Sequence, residues 1–332
     1  IQKDGMTNPD NFVSHRQALM RFSGQASTLA AAYKITGEEK YAAQAILHIK
    51  AWLVVDSTRM NPHLKYAQAI KGKVTGRGIG IIDTIHLIEI AKAIEALENS
   101  KSWSGDDIGK VSDWFREYLE WMTTHQYGIE ERDAKNNHGT CWVLQVATFS
   151  ELIGDKEKID FCKKRFKEIL LPNQMGADGS FPLELKRTKP YGYSLFNLEA
   201  MAGICQILST KEDNIWEFTL PDGRNMKKAM EFIYPYIKDK SQWTYPSDVM
   251  YFENWPVRQS SLLFAGLALH ESKYIDLWKT LDPDPTVEEV IRNYPVRQPV
   301  LWINDDNKLP DVNLMSGTAL LETKMLYRSG KM

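Results

Sequence analysis

The sequence predicts an all-α fold in which antiparallel helical hairpins stand side by side as an incomplete barrel, an α/α toroid. Three observations carry that expectation. Apolar residues recur at helical spacing over long stretches, few segments alternate with period two over five or more residues, and short glycine-bearing connections separate successive helical patterns.

The first apolar stripe runs through Leu19, Phe22, Ala26, Leu29, Ala30 and Tyr33, and the second through Ala42, Ala45, Ile46, Ile49 and Leu53. Between them, Tyr33-Lys34-Ile35-Thr36-Gly37-Glu38 places a glycine where a helix C-cap favours a left-handed residue. A third stripe follows at Ile81, Ile82, Ile85, Ile88 and Leu97. The connection recurs as Glu151-Leu152-Ile153-Gly154-Asp155, a weak internal repeat. Short links make consecutive helices antiparallel neighbours, and about 12 such helices can close into a ring with loops gathered around a central cleft. Tyr234-Pro235-Tyr236, Trp243-Thr244-Tyr245-Pro246 and Trp255-Pro256 interrupt the pattern with longer loops, while Val300-Leu301-Trp302-Ile303 is too short to read as a strand. No low-complexity linker divides the chain, so residues 1–332 are read as one domain.

With 332 residues, 43% hydrophobic and 25% charged, the chain can bury a large core. No apolar run approaches the ~20 residues of a membrane span, so no membrane partner is expected. The polar opening Ile1-Gln2-Lys3-Asp4 lacks a signal-peptide pattern, but a start at Ile1 rather than Met reads as trimmed and says little about export. A net charge of -2 gives no global attraction to nucleic acid, and any anionic partner must be met by a local basic cleft. Cys141, Cys162 and Cys205 are widely spaced and set in apolar patterns, which suits core packing rather than disulfides or zinc; no metal or cofactor is expected.

Three segments can carry chemistry. The first runs from Thr58-Arg59-Met60-Asn61-Pro62-His63-Leu64-Lys65-Tyr66-Ala67-Gln68 through Lys71, Lys73 and Arg77 to Gly76, Gly78 and Gly80, with no acidic residue between Asp56 and Asp83. A glycine-rich, one-signed loop suits a mobile lid over an anionic polymer; a solvated basic loop is the plain alternative. The second is Asn136-Asn137-His138-Gly139 before the apolar pattern that starts at Thr140, Cys141 and Trp142. Two amides and an imidazole at a helix start can converge on a carboxylate, although an Asn N-cap with an incidental His gives the same string. The third is Glu184-Leu185-Lys186-Arg187-Thr188-Lys189-Pro190-Tyr191-Gly192-Tyr193, leading into Ser194-Leu195-Phe196-Asn197. Arginine binds carboxylates in bidentate fashion and lowers the pKa of a nearby tyrosine from about 10; a Pro-Gly turn with surface cations is the alternative.

Together these segments resemble the alginate lyase superfamily of α/α-toroid polysaccharide lyases, in which Asn-Asn-His, a later Glu-Leu-Lys-Arg and a following Tyr recur in order. The stretch from Thr58 to Asp83 is similar as well, and the resemblance covers about the first two-thirds of the chain. It implies that Asn137, His138 and Arg187 hold a uronate carboxylate while Tyr193 handles the proton. The Arg-to-Tyr spacing is shorter than in the best-known alginate lyases, which leaves Tyr191 open, and the Trp after Asn-Asn-His is displaced to Trp142. The displaced Trp points to a separate branch, which includes lyases of alginate and of glucuronan.

The implied reaction is β-elimination on a 4-linked uronan, most simply alginate, by an enzyme exported to a periplasm or the outside. Hydrogen bonds from Asn137, His138 and Arg187 neutralise the carboxylate, and Tyr193, partly ionised beside Arg187, takes the C5 proton and returns one to O4. Where proton and leaving oxygen lie on opposite faces of the sugar, His138 is the base and Tyr193 the acid. Arg59, Lys65, Tyr66 and Gln68 are candidates for further substrate contacts on the lid, with Trp142 and Tyr191 beside them and Trp243, Tyr245 and Trp255 weaker. A toroid glycoside hydrolase using Asp178 and Glu184, or a glycan-binding protein without turnover, are the rival readings.

Overall fold

Residues 4–5 and 12–303 are described by the structure, a computed structural model. The long helices are α1 (Ser14–Thr36), α2 (Glu39–Leu53), α3 (Leu87–Leu97), α4 (Asp107–Thr124), and, after the short α5 (Gln126–Arg132), α6 (Asn137–Ile153). Helix α7 (Lys156–Arg165) continues through a wide turn into α8 (Leu171–Gln174), and α9 (Pro182–Leu185) precedes α10 (Pro190–Leu208). Then come α11 (Met226–Lys238), α12 (Ser260–Ala268), α13 (Ser272–Thr280) and α14 (Glu288–Arg292). The described residues therefore hold fourteen α-helices, slightly more than the periodicity suggests, and no named strand.

Helices α1, α3, α6, α10 and α12 pack one against the next as the inner wall, and α2, α4, α7 and α13 back them from outside. The turn Pro299–Leu301 packs on α1 and α3, so the last described stretch returns to the first helix. This is the α/α toroid. Gly37 and Gly154 cap α1 and α6 with φ of 70° and 71°, the left-handed conformation that costs glycine least. All three cysteines are buried and free. The third stripe divides: Gly78–Thr84 is a tight 3₁₀ turn and the α-helix starts at Leu87. There the Thr84 hydroxyl meets Ile81 O, the Tyr118 hydroxyl and Gln145 Oε1, a buried network that holds the turn.

Inner helices surrounded on all sides carry apolar residues nearly all round, which makes their few uncovered positions informative. On α10 only Tyr193 and Gln206 are not buried. On α6, apart from the last turn, only His138 is not buried.

Buried carboxylates from neighbouring elements close the N-termini of these inner helices. Glu184 accepts from Asn137 N–H (2.7 Å) at α6, and Asp248 accepts from Tyr191 and Gly192 N–H (2.8 and 2.9 Å) at α10. Glu199 accepts from Ser260 and Ser261 N–H (3.0 and 2.8 Å) at α12. Each satisfies orphan donors at the positive end of a helix. Asn136 occupies the N-cap position of α6, but its side chain makes no capping bond; Glu184 takes that part.

Candidate active site

Glu184 stands where the second and third sequence segments meet. Its side chain is nearly fully buried; one oxygen receives the Asn137 N–H and the other lies 3.5 Å from Arg187 Nη1. Burial raises the Glu184 carboxyl, while the Asn137 N–H, Arg187 and His138 act against that rise. The Arg187 guanidinium carbon sits 4.0 Å from the centre of the Tyr193 ring, a cation–π contact. Asn137, His138, Arg187 and Tyr193 are thus brought together at the N-termini of two adjacent inner helices.

His138, in the first turn of α6, shares a hydrogen bond between its Nδ1 and Glu131 Oε1, 2.7 Å apart. Asn137 is buried, and its Oδ1 has no hydrogen-bond partner. Around Tyr193 the charges alternate. Lys189 Nζ is 5.2 Å from its ring centre and 2.6 Å from Glu289, and Arg292 lies 3.2 Å from Asp83 and 3.5 Å from Glu289.

Tyr193 differs from the sequence expectation. Burial pushes its hydroxyl up to about 12, and the lowering by Arg187 does not offset this. The phenol is therefore protonated at neutral pH rather than partly ionised. Arg187 differs too, because its Nε and Nη2 grip the carboxylate of Asp4 at 2.6–3.1 Å, and Asp4 also accepts from the Thr188 N–H and hydroxyl. That arginine hydrogen bond is the largest of the effects that hold the Asp4 carboxyl down at about 2.

Two further candidates are withdrawn from the cleft by helical geometry. Trp142 is 1% exposed, with its Nε1 donating to Met122 O at 3.2 Å, so it is a core residue of α6. Tyr191 is fully buried, donates its hydroxyl to Tyr236 O at 3.0 Å and packs edge-on against Trp243 and Phe252. Two positions apart on one helix point to opposite sides, so Tyr193 faces the cleft and Tyr191 the core. Trp255 is buried as well.

The basic segment folds over itself. Ile70 and Val74 bridge, Arg77 Nε donates to Gln68 O (2.9 Å), and the Tyr127 hydroxyl donates to Gly76 O (3.0 Å). A Cβ on Gly76 would meet Lys65 O at 1.9 Å, and one on Gly80 would meet Ala67 Cβ at 2.5 Å. These glycines allow backbone to approach backbone, a different use from the loop mobility their number suggests. Gln68 Nε2 lies 3.3 Å from Asp83, which binds Arg292 and so ties the segment to the groups around Tyr193. Arg59, Lys65 and Tyr66 stand exposed, Arg59 against Asp56.

Glu131, Asp4, Lys189, Asp83, Glu289 and Arg292 were not singled out as site residues by the sequence. Glu131 lies in Glu130-Glu131-Arg132, which reads as a solvated charge run, and Arg292 lies beyond the segments that carry the resemblance. The carboxyls of the rival hydrolase reading have local partners: Asp178 accepts from the Ser180 N–H and hydroxyl (3.0 and 2.7 Å), and Glu184 from Asn137.

Residues 1–243 match the family described as alginate lyase. Among solved structures, an alginate lyase from Bacteroides ovatus superposes with a TM-score of 0.77 at 33% identity, covering 92% of this chain and 79% of that one. A His→Ala variant of alginate lyase A1-III complexed with a tetrasaccharide superposes with a TM-score of 0.60 at 14% identity, covering 92% and 81%, and at that identity speaks for the fold alone. No curated protein matches the chain. The family match over most of the sequence and the 33% identity across the toroid agree: this chain belongs to the alginate lyase family and is a polysaccharide lyase.

Proposed function

We propose that the protein cleaves a 4-linked uronic-acid polymer, most simply alginate, by β-elimination at the cleft formed by Asn137, His138, Arg187 and Tyr193. The observation that carries this reading is their convergence around Glu184, with an arginine fork already engaged by a carboxylate. A uronate carboxylate is the natural competitor for that fork, because both present two oxygens in one plane.

Elimination across C4 and C5 requires removal of the C5 proton beside an ionised carboxylate, which opposes developing negative charge. Donors aimed at the carboxylate oxygens gain strength as that charge grows, each contributing about 3 kcal/mol by analogy with oxyanion sites. The base accepts the C5 proton, the C4–O4 bond breaks, and the departing O4 receives a proton. Tyr193 in its resting, protonated form is suited to supply that last proton. For a uronate whose C5 proton and O4 share a face, Tyr193 handles both transfers, ionising when the substrate and Arg187 are in place. For the opposite configuration His138 takes the C5 proton. Exposed Arg59, Lys65 and Tyr66 extend the contact along the polymer, and the size of such a substrate places the enzyme in a periplasm or outside the cell.

Incubation with polymannuronate, polyguluronate or glucuronan, followed by the ultraviolet absorbance of the unsaturated uronate, tests this reading. The parent is expected to raise the absorbance on at least one polymer, and Tyr193→Phe to lower kcat by about a hundredfold or more with its helical signal intact. Undiminished turnover in Tyr193→Phe overturns the assignment of the tyrosine, and no absorbance with any of the three polymers overturns the substrate class.

A further inference from the structure

Glu131 is fully buried at the end of α5, and its hydrogen-bonding capacity is only half used. Oε1 meets His138 Nδ1 at 2.7 Å, while Oε2 is buried without a partner. Burying a carboxylate in this way is costly, and a leucine of similar size in its place would avoid the cost. The expense has one visible beneficiary, the imidazole of His138, whose side chain is 20% exposed. Because the two ring nitrogens lie on opposite sides of the imidazole, fixing Nδ1 on Glu131 turns Nε2 away from the core, and Nε2 makes no hydrogen bond to the described residues.

We propose that Glu131 is a positioning residue for the elimination: it accepts a hydrogen bond from Nδ1–H of His138, turns Nε2 toward the substrate, and balances the imidazolium that forms when Nε2 takes up a proton. The inference rests on the proposed role of His138 and adds the group through which that role is exercised. A carboxylate in water would leave the ring free to rotate and to exchange tautomers; a buried one with a single partner does neither. Once Nε2 has taken a proton, from C5 in the elimination or from solvent as the anionic substrate binds, the site forms a chain of alternating charge: Glu131 carboxylate, His138 imidazolium, uronate carboxylate. Asp83 is the other acidic group that bears on Glu131, and it opposes ionisation there, as burial does, whereas His138 favours it.

The nitrogen-15 spectrum of the His138 ring in the unliganded parent at neutral pH tests the first half without any substrate. A proton on Nδ1 is expected, and a proton resident on Nε2 alone overturns the proposal. Glu131→Gln tests the second half, since the amide oxygen still accepts from Nδ1 but carries no charge. On whichever polymer the parent cleaves, KM is expected to rise about tenfold while kcat changes less. KM and kcat both unchanged overturn the role of the charge, and equal loss in all variants of similar burial, including Cys141→Ser as a core control, overturns a role specific to His138. Should Glu131→Gln fail to fold, the parent spectrum still decides. Should the parent cleave no polymer, the functional reading fails while the ring spectrum reports on Glu131 independently.

Discussion

At the scale of single residues, the pairing of Arg187 with Asp4 makes the sharpest prediction. If the uronate carboxylate displaces Asp4, then Asp4→Asn lowers KM by roughly twofold to fivefold, the range expected for losing one partly exposed ion pair. A rise in KM would show instead that Asp4 holds the fork ready. The pair has a defined acid limit: the Asp4 carboxyl is depressed from 3.8 to about 2, so its contribution to stability is present above 3.8 and is lost as pH falls through 2. Tyr193 lies at the other extreme, and a carbon-13 titration of its phenol carbon is expected to show a midpoint near 12. The strings Asn136-Asn137-His138 and Glu184-Leu185-Lys186-Arg187 brought the main candidates to notice in the sequence. Their partners stayed hidden because Asp4 and Glu131 reach them across 183 and seven residues by folding alone.

Among the helical elements, the shared device is a buried carboxylate placed on the N-terminus of a neighbour. Asp248 holds the first turn of α10, and with it the direction of Tyr193; Asp248→Ala leaves two buried N–H donors unpaired and is expected to cost about 1–3 kcal/mol in urea denaturation. The fit is close, since a Cβ on Gly192 would stand 2.8 Å from Asp248 Oδ2. Glu199 makes the same arrangement at α12 titratable: burial pushes its carboxyl from 4.5 up to about 7. A raised carboxyl binds its proton more tightly in the folded state, so this contribution is complete below pH 4.5 and is lost as pH rises through 7. The Tm of the parent is therefore expected to fall from pH 5 to pH 8 more steeply than that of Glu199→Gln, and parallel curves would contradict it. Stripe and cap signals made these helices legible, as Gly37 and Gly154 show. The turn at Gly78–Thr84 was not, because the side-chain network of Thr84, Tyr118 and Gln145 is assembled from three separate elements.

For the whole molecule, periodicity and short links were enough to predict a ring of hairpins, because an inner helix can bury all its sides only among other helices. Periodicity alone could not tell which aromatic residues face the cleft. Trp142 and Tyr191 belong to the same apolar helix starts as His138 and Tyr193, and only the packing of α6 against α10 separates core from cleft. The central claim is elimination rather than hydrolysis, and the mass of the products decides it. After digestion of polymannuronate, polyguluronate or glucuronan, the account predicts that the fragment on the reducing side of each cut is one water lighter than its hydrolytic counterpart and carries an unsaturated uronate at its non-reducing end. Fragments that all carry the full mass of added water would contradict it.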